Sequence, residues 1–367
     1  MTALAPFVRI LGRGPGRARS LTQDEAREAM GLILGGEAAP EAVGALLMLM
    51  RYRGESADEI AGFTQAVRAQ AAKGAVPASR TTAALGGTPA VDWPSYAAGR
   101  TRGLPLFLLS ARLLAQAGRP VLLHGWNAHQ STGADVRRAL PYVGIAQANN
   151  LADAQTHLIE DGIAYLPVEA ACPHLLDLLR LRETLGLRSC LNTVARMLNP
   201  GRAPLCVQGV FHPSYRALQR DAAMRLDQPE TLTLKGAGGE FERHPGKPVE
   251  VVAQRSATAY TAHAPALLTG ATRLADGPDL PRDPAALGAL WRGEVTDVFA
   301  EACITGTTAL VLVALGDATT DTDALEQARA LWRDRARRST PFEALPAPVT
   351  AAPSPTPPPA TPERTPL

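Results

Sequence analysis

The chain has 367 residues, 46% of them hydrophobic and 20% charged, with a formal net charge of +2. That length buries one large core or two modest ones. The near balance of charge excludes a protein that coats nucleic acid by bulk charge, so any basic binding surface must be local.

Residues 9–19, RILGRGPGRAR, set Arg9, Arg13, Arg17 and Arg19 among glycines and Pro15. This reads either as a flexible basic arm able to fold around phosphates or as an ordinary loop. Thr22 is a natural helix N-cap, with Glu25 three positions on to complete a capping box. Ala26, Ala29, Met30 and Ile33 follow at helical spacing, and Gly35-Gly36 ends the helix. A second helix runs from about Pro40 to Tyr52, with Val43, Leu46, Leu47 and Met50 as its apolar face. Ser56 caps a third, whose buried side is Ile60, Phe63 and Val67. After Ala75 short β-rich runs alternate with helical stretches: 121–124, 205–210, 231–235, 249–252 and 309–313. That alternation predicts an α/β domain, residues 76–338, with a mostly parallel central sheet behind a small helical N-terminal domain, residues 1–75. Residues 325–338 read as a last helix, ending in arginines that favour the helix dipole. The Pro-, Ala- and Thr-rich residues 339–367 carry too little apolar surface to order themselves.

The basic residues are nearly all arginine; Lys73, Lys235 and Lys247 are the only lysines. A GC-rich genome accounts for that bias, although the planar guanidinium also grips phosphate and stacks on bases. Cys172, Cys190, Cys206 and Cys303 are scattered without metal-ligand spacing, which reads as reduced thiols in a cytoplasmic protein. No charged-then-apolar leader opens the chain and no apolar run reaches about 18 residues, so neither export nor a membrane span is expected.

Two long blocks carry a resemblance. LTQDEAREAMGLILGGE (Leu21–Glu37) with LLMLMRYRGESADEIAGF (Leu46–Phe63), and VEAACPHLLDLLRLRETLGLRSCLNTVARMLNP (Val168–Pro200), resemble the anthranilate phosphoribosyltransferase and nucleoside phosphorylase superfamily, glycosyl transferase family 3. The resemblance covers residues from about 5 to 335. It implies a helical domain hinged to an α/β domain, residues 165–200 returning to the helical domain, and a homodimer formed through the helical domains.

The same resemblance implies a phosphoribosyl pyrophosphate and magnesium site made of a GTGGD turn, an Asn-x-Ser-Thr segment, a Lys-His-Gly-Asn strand end and an Asp-Glu pair. Each is altered here. AVDWPSYAAGRTRG (Ala90–Gly103) replaces the glycine turn, and Pro94 has no N–H to donate. LPLFLLS (Leu104–Ser110) replaces the second segment and suits a buried helix. The strand end reads Leu123-His124-Gly125-Trp126, with the phosphate-binding lysine gone and His124 read as structural. Gly239 stands at the Asp position beside Glu240. Ordinary phosphoribosyl transfer is therefore not expected, and no catalytic residue, metal or cofactor is assigned.

The altered motifs VDWPSYAAGRTRGLP, HGWNAHQS and KGAGGE resemble the YbiB-like branch of the superfamily, which binds DNA and RNA. On that basis the expected partner is single- or double-stranded nucleic acid, held by its phosphates without base reading. The expected contacts are Arg13, Arg17 and Arg19 of the arm, Arg51 and Arg53 at a helix end, and Arg100 and Arg102 near Trp93 and Tyr96. Lys235 with Gly236, Gly238 and Gly239 completes the set, as a loop of exposed N–H groups. Trp93 and Tyr96 serve either for base stacking or for packing. Two readings compete: a glycosyl or phosphoribosyl transferase of altered substrate using Glu240, His124, Asn192 and Arg182, and an inactive dimer that meets partners through its tail.

Overall fold

The computed structural model describes residues 3–14, 16–74, 89–96, 103–126, 135–269 and 283–337. Arg100, Arg102 and the tail 339–367 lie outside them.

Four helices open the chain: α1 (Ala5–Gly12), α2 (Gln23–Leu34), α3 (Pro40–Arg53) and α4 (Ala57–Gly74). The arm is thus helical through Gly12, because Phe7 and Leu11 are buried and hold α1 down. Thr22 caps α2 with a full capping box: its Oγ1 accepts from the Glu25 N–H at 3.2 Å, and Glu25 Oε2 accepts from the Thr22 N–H at 2.9 Å. Helices α2 and α4 pack almost backbone to backbone at Gly62, where a Cβ would stand 2.2 Å from the Gln23 carbonyl oxygen. Their core of Met30, Leu46, Leu47 and Phe63 also takes in Leu175, Leu179, Leu191 and Val194 from two later helices, α7 (Pro173–Leu185) and α8 (Leu191–Arg196).

Among the described residues that follow, the strands form an eight-stranded sheet in the order β3-β4-β2-β1-β5-β6-β7-β8. The strands are β1 (Val91–Ser95), β2 (Val121–Gly125), β3 (Ala146–Gln147), β4 (Ile163–Pro167), β5 (Leu205–Val210), β6 (Glu230–Lys235), β7 (Val249–Arg255) and β8 (Thr258–Ala264). β3 through β6 pair in parallel, and β7 and β8 add antiparallel at one edge. The helices between them are α5 (Phe107–Gln116), α6 (Leu151–Glu160) and α9 (Ser214–Arg225), followed by α10 (Ala285–Arg292), α11 (Val298–Leu315) and α12 (Asp321–Asp334). α5 is buried through Leu108, Leu109 and Leu113, the apolar helix that replaces the Asn-x-Ser-Thr segment.

Two expectations are corrected by α11. Residues 309–313 are helix, not strand: Asp297 accepts the Ala300 N–H at 2.9 Å to start it, and Gly316 at φ 76° ends it. A helix apolar on all sides carries no 3.6-residue signature, so its β-branched run imitates a buried strand. α11 is also 18 residues long and apolar enough to cross a membrane by length and composition, but 72% of it is buried in this core.

Candidate functional site

The chain runs outward from β1 to β2 on one side and returns to β5 on the other, so the topological switch lies between β1 and β5. In open α/β sheets ligands bind in the crevice beyond the carboxyl ends of the strands at such a point. Here those ends carry Ser95 and Tyr96, His124 and Gly125, Val210 and Phe211, and Lys235.

The first half of this crevice is filled by the protein itself. Tyr96 is 1% exposed and its hydroxyl lies 3.0 Å from His124 Nδ1, while His124 Nε2 lies 3.2 Å from Asp92 Oδ1. Burial pushes the Tyr96 phenol well above its ordinary range, so it stays a neutral hydroxyl. Trp93 packs against Phe107 and Phe241 at ring separations of 6.0 and 5.6 Å. Both aromatic residues are core, and neither is placed to stack a base. Trp126, the replacement for the family asparagine, is buried as well.

The loop after β6 closes tightly over β5. A Cβ on Gly236 would meet the Glu240 carbonyl oxygen at 1.6 Å, and one on Gly209 would meet Glu240 carbon at 2.0 Å. Gly238 and Gly239 have φ of 64° and 93°. These glycines are therefore required by conformation and close approach. The Gly236 and Gly239 N–H groups bond within the protein, to Val210 O and Gly236 O, so they are not the exposed donors that the sequence suggests. The turn buries Glu240, whose Oε1 accepts from Ser95 Oγ at 2.9 Å. Magnesium does not fit this arrangement. One carboxylate bonded to a serine, with Gly239 beside it, supplies too few oxygen ligands, and among the described residues no group of three His, Cys, Asp or Glu could hold a metal.

The open half of the crevice is cationic. A cavity of about 100 Å³ is lined by Arg51, Arg188 and Arg196 together with Asn192, Phe211 and Tyr215. Arg196 is 8% exposed; its Nη2 donates to Tyr96 O at 2.9 Å and its Nη1 to Asn192 O at 3.0 Å, while Nε has no partner. Burial pulls its guanidinium below the ordinary range, opposed by Glu240. Arg188 makes no hydrogen bond or ion pair among the described residues. Burial, then Arg182, Arg196 and Arg51, pull it down to about 10. Arg51 Nη1 donates to the Tyr215 hydroxyl at 3.2 Å, which donates onward to Glu55 at 3.0 Å. Desolvation and Glu55 push that phenol up to about 12. The first turn of α9 faces the cavity through Tyr215, adding the positive end of its dipole.

Of the residues expected to contact nucleic acid, Arg51 and Gly238 meet in this cavity. Gly239 is adjacent: a Cβ there would lie 3.6 Å from Arg196 Nη2. Lys235 and Arg53 are exposed close by in sequence, outside the lining. Arg13 and Arg17 are exposed just beyond α1, whose end approaches Leu49 of α3 at Gly12. Arg19 is engaged, with two 2.6 Å contacts to Glu25. Sequence reading missed Arg188, Arg196, Phe211, His212 and Tyr215. The available signal was Arg196, an arginine set among the apolar Val194, Ala195, Met197 and Leu198.

Residues 6–71 match the glycosyl transferase family, helical bundle domain. The chain is 30% identical over 243 residues to the uncharacterized protein YbiB of Escherichia coli K12, covering 65% of this chain and 72% of that one. It is 30% identical over 255 residues to the anthranilate phosphoribosyltransferase of Methylocella silvestris, covering 69% and 68%. Among solved structures, that of the anthranilate phosphoribosyltransferase from Thermus thermophilus matches with a TM-score of 0.70 at 25% identity, over 92% of this chain and 95% of that one.

Proposed function

Because the chain belongs to the anthranilate phosphoribosyltransferase family, we propose that its crevice binds a phosphorylated pentose through arginine, as a glycosyl or phosphoribosyl transferase of altered substrate. The observation that carries this reading is the meeting of Arg51, Arg188 and Arg196 at the carboxyl ends of β5 and β6. Arg196 is buried and Arg188 half-buried without a partner among the described residues; cations held this way are costly, and an anionic ligand relieves that cost. Guanidinium groups also neutralise the charge that gathers on a departing phosphate. The ligand differs from phosphoribosyl pyrophosphate because Tyr96 and Trp126 occupy positions of the diphosphate motifs, and Glu240 is a single carboxylate where magnesium needs several oxygen ligands.

Nucleic acid is the second reading, since its backbone is a chain of phosphorylated pentoses. It is favoured by Arg51 and Gly238 lining the cavity, with Arg53 and Lys235 exposed close by in sequence. We place the protein in the cytoplasm as a homodimer, which would duplicate each weak contact.

The test offers ribose 1-phosphate, with phosphoribosyl pyrophosphate as the donor expected to fail, gives nucleobases and aromatic acids as acceptors, and reads released phosphate. Turnover that persists in EDTA and falls at least about tenfold in Arg188→Met, near 1.4 kcal/mol, supports the transferase. Absence of turnover together with strand binding that weakens steeply with salt supports the second reading.

A further inference from the structure

We infer that the arginine cavity receives a phosphomonoester, a terminal phosphate dianion, and leaves the attached sugar and base outside against Phe211 and His212. This deepens the reading of the crevice as a phosphate site and rests on it.

Size comes first. At about 100 Å³ the cavity is a fraction of the roughly 300–1,000 Å³ that holds a whole drug-sized ligand. It admits one phosphate group, and the remainder of the molecule must stay at the mouth.

Charge decides which phosphate. Arg188 has no partner among the described residues, and Arg196 spends both terminal nitrogens on neutral backbone carbonyls, with Glu240 as the opposing charge that acts on it. Its Nε, in a side chain more than nine-tenths buried, has no acceptor. Gln219, 1% exposed on the same lining, has an amide oxygen without a partner, and its amide can be turned to donate instead. Two carboxylates face this set, Glu55 and Glu240, each accepting one hydroxyl, from Tyr215 and from Ser95, and the three guanidinium groups outnumber them. A phosphodiester brings one charge and two substituents that must both leave the cavity. A phosphomonoester brings close to two charges and a single substituent. Three converging guanidinium groups around so small a space match the monoester, whose three terminal oxygens suit forked donors.

The mouth carries the rest. Phe211 is 52% exposed and packs edge-on against His212 at 4.9 Å. An exposed aromatic pair beside a cationic cavity offers a face on which a sugar or base can stack.

Phosphomonoesters have two sources, free sugar phosphates or nucleotides and the ends of nucleic acid strands, and the experiment separates them. Fluorescence anisotropy at constant ionic strength compares one labelled single strand with a 5′-phosphate, a 3′-phosphate or hydroxyls at both ends. Ribose 5-phosphate, a nucleoside 5′-monophosphate and dimethyl phosphate are the competitors, and calorimetry follows the small ligands directly. The expected result is at least about tenfold tighter binding, near 1.4 kcal/mol, of a monoester over its hydroxyl or diester counterpart. Arg188→Met should abolish that preference, and Phe211→Ala should weaken the strand or nucleotide more than inorganic phosphate; both melt at the parental temperature. A preference seen only with strands assigns the strand end as the source, and one seen only with sugar phosphates assigns the small ligand. Equal binding of monoester and diester, both weakened by Arg188→Met, overturns the monoester inference and leaves the phosphate crevice standing. No binding of any phosphate, in parent or variant, overturns both.

Discussion

Arg196 combines burial, two backbone contacts and an unpartnered Nε at the floor of a cationic cavity. Removing Arg196 alone takes donors from two backbone carbonyls and takes away the positive charge that acts on buried Glu240. Arg196→Met should therefore lower stability by about 1–3 kcal/mol while anion affinity falls at least about tenfold. Urea unfolding and calorimetry on the same sample measure the two effects. A second prediction concerns Glu25. The bond from Arg19, aided by the Thr22 N–H, holds its carboxyl down to about 2. A depressed carboxylate stabilises the folded state fully above its unfolded pKa, near 4.3, and that contribution is lost as pH falls through its folded value. Thermal melts from pH 6 to 2 should show the parent losing stability faster than Glu25→Gln across that window. The capping box was legible because it spans four consecutive residues. Arg188 and Arg196 were not, because their significance comes from Arg51, Tyr96 and Gly238, which are distant in sequence.

Glycine and cap positions define what the elements tolerate. Gly236→Ala places a methyl group within bonding distance of the Glu240 carbonyl oxygen. The loop after β6 must then shift, with an expected loss of about 1–3 kcal/mol or more. Because that loop carries Gly238, anion binding should weaken in the same variant. Asp297→Ala removes the only described side-chain acceptor for the Ala300 N–H and should lower stability by about 1 kcal/mol. Equilibrium unfolding reads both, and an unchanged midpoint in either would contradict the assigned role. The sequence signalled α2, α3 and three of the six described parallel strands, β2, β5 and β6, because their patterns are amphipathic or bounded by turn residues, and it missed β1, β3 and β4. It misled at α11, where Ala309–Val313 looks like a strand because every side of the helix is buried. It also misled at the KGAGGE loop, where glycines that read as donors are fixed by φ and by steric contact.

At the scale of the molecule, two hydrophobic cores meet along the crevice. One joins α1–α4 to α7 and α8 and includes Tyr96 and Trp126; the other joins the sheet to α5, α10, α11 and α12. The family and its architecture were readable because two long ordered motifs survive. The altered site was readable only as losses: the diphosphate motifs are visibly broken, but nothing local announces the arginine cavity assembled from α3, the α7–α8 turn that carries Arg188, α8, the β5–α9 turn and the loop after β6. The central claim is that this family member holds a phosphorylated pentose by arginine and not by magnesium. Calorimetric titration of ribose 5-phosphate into the full chain, in EDTA and again with magnesium, tests it most directly. The account predicts saturable binding of equal strength in both buffers, lost in Arg188→Met. Binding that appears only with magnesium, or that survives Arg188→Met unchanged, would contradict it.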